Sequence, residues 1–250
     1  MSIRHKAIVS SDWNGCLAPC GPFDFISFNF PEIEPQLNAI FRQYTGNQIT
    51  LAQAVGQIRK LIPKPVKPEQ MDAYLDKAFT TYPGVANLIE WCLSKNILFV
   101  INTTGMIGYF QRVFAKGLLP RVPVISAHPL VRFSESSSDP RHIYDLFETG
   151  DKAKNTETAI HSFGISFDRV ILMGDSGGDG PHFEWGSKTG AFLIGSMTKA
   201  SLNNYCRNKN IIINLRFGID CPKNGKRDVQ KEMQVNFMDL ADTIEEVVNK

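Results

Sequence analysis

Two aspartates in the segment Gly174-Asp175-Ser176-Gly177-Gly178-Asp179-Gly180 have the spacing of residues that could do chemistry. An apolar run, Arg169 to Met173, leads straight into them. Two other apolar runs end the same way. Lys6 to Ser11 stops at Asp12-Trp13-Asn14-Gly15, and Ile97 to Ile101 gives way to Thr103-Thr104-Gly105. A lysine, Lys152 with Lys154 as the alternative, stands near the start of the helix-like stretch Thr149 to Phe163. In an open parallel sheet, neighbouring strands share one crevice at their carboxyl ends, and ligands bind there. If these runs are neighbouring strands, their polar tips meet. Carboxylates crowded in one crevice repel each other unless a cation lies between them. Hard oxygen donors of this kind suit Mg2+, which keeps waters and a substrate phosphate as its other ligands. Taken singly, each residue is an ordinary cap, turn or surface residue. The reading rests on all four occurring in order at the right structural places.

The elements that must position them are legible as periodicity. Short continuous apolar runs predict buried strands at Lys6 to Ser11, Ile97 to Ile101, Val122 to Ala127, Arg169 to Met173, Ala191 to Ile194 and Ile211 to Leu215. Helical spacing is present over Glu34 to Tyr44, Thr50 to Ile62, Val85 to Lys95, Thr149 to Phe163 and Asp239 to Val248. Pro68 opens a further helix in the first-turn position where proline is favoured. Phe133 to Asp139 reads as a mobile loop. Strands alternating with helices, each strand apolar on both faces, predict an α/β, doubly wound parallel sheet. Residues 19–81 read as an all-helical insertion, bounded by Tyr82-Pro83-Gly84. This divides the chain into a core of residues 1–18 and 82–250 and a cap of residues 19–81.

The ordered signals resemble the haloacid-dehalogenase-like (HAD) hydrolases. Ala7-Ile-Val-Ser-Ser-Asp12-Trp-Asn14-Gly15 is similar to that family's first motif, a strand followed by Asp-x-Asp-Gly. Thr103 matches the second motif, Lys152 the third, and Ile171-Leu-Met-Gly174-Asp175-Ser-Gly-Gly-Asp179 the fourth. The helical insertion and the Pro-Gly junction resemble the phosphoserine phosphatase and methylthiopentenyl-phosphate phosphatase branch. The resemblance implies a Rossmann-like core, an inserted helical cap and a Mg2+-dependent phosphatase of a small phosphorylated substrate. It implies Asp12 as the nucleophile that forms an aspartyl-phosphate. It implies a metal held by Asp12, the backbone carbonyl of Asn14 and Asp175, with Asp179 completing or orienting that shell. Thr103, Thr104, Gly105 and Lys152 would hold the phosphate.

Asn14 departs from the pattern. The family's phosphatases carry a second Asp there that works as acid and base, which an amide cannot do. Loss of such a group costs about 10²–10⁴-fold in rate. Three readings stay open: a phosphatase acting on a good leaving group or using another proton source, a weakened homologue that binds phosphorylated ligands or a partner, and a dehalogenase-like enzyme. Substrate choice in the family lies mainly in the cap, where Phe23, Phe25, Phe28, Phe30 and Arg42 occur. The phenylalanines read first as core.

Composition sets the remaining bounds. The chain has 250 residues, 27 Lys+Arg against 25 Asp+Glu, and a net charge of +2. That balance offers no dedicated nucleic-acid or membrane surface. The basic stretch Lys223 to Lys231 reads as a solvated loop. Five cysteines without a CxxC pair predict a reduced, cytoplasmic protein rather than a disulfide or zinc framework. No apolar run is long enough to span a bilayer. Oligomeric state and the role of residues 195–235, with Cys206 and Cys221, are not readable from the sequence.

Overall fold

The computed structural model describes residues 5–45, 48–220 and 227–249. Seven parallel strands form one sheet: β1 Ala7–Ser11, β2 Ile97–Met106, β3 Val124–His128, β4 His142–Asp145, β5 Val170–Gly174, β6 Phe192–Ser196 and β7 Leu215–Phe217. Their spatial order is β4-β3-β2-β1-β5-β6-β7. β1 lies between β2 and β5, with Ser11 beside both Ile101 and Met173. The three strand tips picked out by sequence are therefore immediate neighbours.

Alternation along the strands feeds two cores. On one face Ala7 and Val9 pack with α5 (Val85–Ser94), α6 (Ile107–Ala115) and α11 (Ala241–Val248). On the other, Ile8, Leu98 and Leu172 pack with α7 (Asp151–Phe163), α8 (Gly180–Thr189) and α9 (Ala200–Asn208). Burial on both faces is why these strands read as unbroken apolar runs. The sequence between β1 and α5 holds four helices: α1 Asp24–Asn29, α2 Glu34–Thr45, α3 Leu51–Leu61 and α4 Pro68–Ala78. Thr50 and Gln53 form a reciprocal capping box at the start of α3, and Pro68 is in the first turn of α4. The fold is α/β with a helical insertion, as expected.

The differences are local and have physical causes. β2 continues through Thr103, Thr104 and Gly105 instead of ending before them. Its register against β3 shifts between Asn102 and Met106, and the irregularity re-aims the side chains at the tip. β7 begins at Leu215 rather than Ile211. Asn214 bonds to Leu193 through both its side chain and its amide, and Ile212 lies outside the core at 79% exposed. β4 was not foreseen, because this short outer strand is largely half-buried and reads His-Ile-Tyr-Asp. α1, α8 and α9 were also not foreseen. The closing helix starts with a short 3-10 turn, Phe237–Leu240. Phe133 to Asp139 has no regular structure but is tied down. Gln111 bonds to both backbone groups of Phe133, and Asp139 to the amide of Ser136. Cys221 and residues 223–226 of the basic stretch lie outside the described residues; the rest is not a solvated loop, since Arg227 is largely buried against Glu232 and Val229–Glu232 forms the short helix α10. No helix among the described residues is long and apolar enough to cross a membrane.

Candidate active site

Asp12, Asp175 and Asp179 are buried at the tips of β1 and β5, with one oxygen from each within 4.8 Å of the others. Lys152, on the first turn of α7, is only 2% exposed. Its Nζ is 3.1 Å from Asp12 Oδ1 and 2.6 Å from Asp179 Oδ1. Lys154, the sequence alternative, is exposed and pairs with Asp151. A buried polar network holds Lys152 in place. Asn102 of β2 donates to the Lys152 carbonyl at 2.8 Å and to Thr156 Oγ1 at 3.0 Å. Thr156 in turn meets Ser10 of β1 and His182 of α8. Three elements are thereby tied to the first half of α7 through the Asn102 amide and Thr156, while Asn102 Oδ1 itself is buried without a donor.

The two aspartates of the fourth motif have different surroundings. Asp179 Oδ2 accepts from the amides of Asp175 and Ser176, and its Oδ1 accepts from Lys152. It orients the loop. Asp175 faces the site instead. Its Oδ1 is buried without a donor, while Oδ2 lies 2.6 Å from Lys199 Nζ. The loop after Asp12 must come close to it. Gly15 has φ +85°, and a Cβ there would collide with Asp175 Oδ2, so glycine is required on both counts.

Burial pushes the Asp12 carboxyl up to about 7, with Lys152 opposing and Asp179 and Asp175 adding to the rise. Asp175 is raised by burial, against the pull of Lys199. For Lys152, burial works to lower the value, but Asp12 and Asp179 hold it above its usual range, so it stays charged. The site thus concentrates negative charge around one enclosed ammonium.

Thr103 and Asn14 meet each other. The Thr103 hydroxyl donates to Asn14 Oδ1 at 3.2 Å and accepts from the Gly105 amide. The Asn14 amide is turned to Cys20, 3.3 Å from its carbonyl. Thr104 lies beside the Tyr44 hydroxyl. Asp12, Asn14, Thr103, Thr104, Gly105, Lys152, Asp175 and Asp179 thus lie at neighbouring strand tips and the start of α7, and Lys154 lies apart from them.

Sequence reasoning missed two members of the group. Tyr44 comes from α2 of the insertion, and its hydroxyl lies 3.7 Å from where a Cβ on Gly178 would be. Burial, first among its causes, raises its pKa to about 12, so it is a neutral donor. It looked like a core residue of an amphipathic helix. Lys199 follows β6, and the strand-tip logic used for β1, β2 and β5 would have found it there. Beside these groups, a narrow cleft is lined by Trp13, Asn14, Phe25, Tyr74, Tyr109 and Phe110. Of the insertion's phenylalanines, Phe23 and Phe30 are core and Phe25 reaches this cleft.

Comparison with solved structures gives the architecture its name. Phosphoserine phosphatase, in its phospho-aspartyl intermediate analogue, superposes with TM-score 0.61 at 16% identity, covering 92% of this chain and 98% of that one. This is the haloacid-dehalogenase-like fold. A HAD family hydrolase from Salmonella enterica serovar Typhi matches at TM-score 0.58 and 14% identity, over 85% of this chain and 68% of that one. Cytosolic 5'-nucleotidase IIIB bound to cytidine matches at TM-score 0.55 and 13% identity, over 99% and 88%. In sequence, 90 residues of this chain are 24% identical to 2-hydroxy-3-keto-5-methylthiopentenyl-1-phosphate phosphatase of Brevibacillus brevis. That stretch is 36% of this chain and spans 40% of the Brevibacillus protein's length. No known family profile matches the sequence.

Proposed function

We propose that this chain is a Mg2+-dependent phosphatase-type hydrolase of a small phosphorylated metabolite, working through an aspartyl-phosphate on Asp12. In this reading residues 1–18 and 82–250 form the core, and residues 19–81 form a cap over the site. The observation that carries it is the enclosed group of Asp12, Asp175 and Asp179 around Lys152, with one Asp175 oxygen left without a donor. The relatives named above, phosphatases and a nucleotidase, support the reaction class.

The donor set fits a small, hard divalent cation. Asp12, Asp175 and the Asn14 carbonyl would hold it, with Asp179 orienting the loop. Such a cation supplies charge neutralisation at the phosphoryl group. In the first step an Asp12 oxygen bonds to phosphorus, and the bond to the leaving oxygen breaks. Lys152 balances Asp12 and the incoming phosphate together, and its fixed position makes that stabilisation pre-organised. The Thr103 hydroxyl, with the backbone of Thr104 and Gly105, lies on the β2 side to bind phosphate oxygens. The leaving oxygen then needs a proton, which Asn14 cannot supply. Tyr44 is the phenolic O–H at this site, more acidic than the threonine hydroxyls, and would fill that role, regaining its proton from the water that hydrolyses the Asp12 phosphate. Acyl phosphates need no such donor and should be the fastest substrates.

A second reading rests on Asn14 alone. Its side chain bridges Thr103 and Cys20, the behaviour of a structural residue. That favours a weakened homologue that binds phosphorylated ligands. A panel of phosphorylated metabolites and acetyl phosphate, assayed with and without Mg2+, separates the two. Mg2+-dependent phosphate release that disappears in Asp12→Asn supports the enzyme. Tight ligand binding with no turnover on any substrate contradicts it.

A further inference from the structure

The four motifs leave one charged side chain at the site without a role. Lys199 begins α9, just beyond the tip of β6. Its amide donates to the Asp175 carbonyl at 2.7 Å, and its Nζ lies 2.6 Å from Asp175 Oδ2. The residue is therefore pinned to Asp175 at both ends, while its head keeps access to solvent, the side chain being 36% exposed. The other cation close by is committed elsewhere. The guanidinium of Arg227 pairs with Glu232 and bonds to the Tyr82 hydroxyl and the Gly15 carbonyl.

We propose that Lys199 is a built-in counter-ion of Asp175, occupying the carboxylate that a divalent cation must share, and that it thereby sets how tightly the site takes up that cation. This inference rests on the metal-dependent reading above. Three carboxylates, Asp12, Asp175 and Asp179, face two ammonium groups, Lys152 and Lys199, leaving a formal charge of −1. Without Lys199 the charge of this group would be −2, and Asp175 would keep only the Arg227 guanidinium nearby, itself paired with Glu232. A divalent cation entering beside Asp175 meets an ammonium on the same carboxylate. It must either share that carboxylate against like-charge repulsion or displace the lysine, and both weaken its binding. Displacement is feasible because the lysine head has a path to water, which the fully enclosed Lys152 lacks.

The test is calorimetric titration of the full chain with MgCl2, which needs no substrate. Lys199→Met, with Lys199→Gln as a second variant, should bind Mg2+ about tenfold more tightly than wild type, a change well within the resolution of the method. Lys199→Arg, which keeps the charge, should stay near wild type. The metal-free melting temperature of Lys199→Met should fall, and saturating Mg2+ should restore it. Equal or weaker Mg2+ binding by Lys199→Met and Lys199→Gln would overturn the counter-ion role while leaving the metal site standing. Absence of Mg2+ binding in wild type and variants alike would overturn both.

Discussion

On the proposed reading, Asn14 and Tyr44 would carry the chemistry that separates this site from the motif pattern of HAD phosphatases. An aspartate at position 14 would place a proton donor beside Thr103, where the amide now sits. Asn14→Asp should therefore raise turnover of alkyl phosphomonoesters by about 10²-fold, the lower end of what a general acid contributes. It should change acetyl phosphate turnover little. Tyr44→Phe should do the reverse on the same substrates, slowing alkyl esters and sparing acetyl phosphate. Steady-state kcat measured on both substrates checks the pair. Equal effects on the two would show that neither position handles the leaving-group proton. The aspartates, the threonine and the lysine were legible in sequence because each follows a recognisable strand or opens a helix. Tyr44 was not, because a tyrosine at helical spacing with Leu37, Ile40 and Phe41 carries no sign that its hydroxyl turns toward the core.

At the level of elements, the position of α7 decides whether Lys152 can reach Asp12. That position depends on Asn102, Thr156 and His182, three buried polar residues that sequence reasoning passed over. Polar residues inside apolar patterns have no period, and their partners here are 26 to 146 residues away. The start of α8 is tied in through His182, whose Nε2 is 2.9 Å from Thr156 Oγ1. Burial, helped by the charge of Lys152, lowers the His182 pKa to about 3, from an ordinary value of 6.5. The folded state therefore resists protonation, and the stability this histidine allows is present above about pH 6.5 and lost as the pH falls below it. At pH 5 the cost is about 2 kcal/mol, from some 1.5 pH units at 1.36 kcal/mol each. Asp12, whose carboxyl is pushed up to about 7, takes up a proton more readily in the folded state over the same range and offsets this loss. The histidine's share is therefore read as a difference: in thermal melts from pH 7.5 to 5, His182→Gln should lose less Tm than wild type, by roughly 4–8 °C at pH 5. Equal pH slopes in the two proteins would contradict the burial argument. The strands show the same contrast in legibility. β1, β2 and β5 could be read because they are buried on both faces, whereas β4 and β7 lie at the sheet edges and carry mixed, half-exposed residues.

For the whole molecule, sheet order is what turns scattered motifs into a site. Residues 12, 103, 152 and 175 come from four separate stretches, and the order β2-β1-β5 makes their tips adjacent. Fold class and the helical insertion followed from alternation and composition alone. The C-terminal third was harder to read, because its contribution is long-range. Glu232 accepts from the Tyr82 hydroxyl at 2.7 Å, and the Phe237 amide reaches the Pro83 carbonyl at 2.8 Å. Tyr82 stacks on Phe237 with ring centroids 5.6 Å apart. Arg227 holds the Gly15 carbonyl at 3.0 Å. This segment braces both the return from the insertion and the loop after Asp12, a role that no local pattern announces. On the proposed reading, the whole arrangement would present one enclosed carboxylate, that of Asp12, to phosphorus. The most direct measurement is acid-quenched mass spectrometry of the protein mixed with acetyl phosphate and Mg2+. The account predicts a hydroxylamine-labile phosphoryl adduct on the peptide carrying Asp12, dependent on Mg2+ and absent from Asp12→Asn. Phosphate release at undiminished rate from Asp12→Asn, or an adduct mapped to another residue, would contradict it.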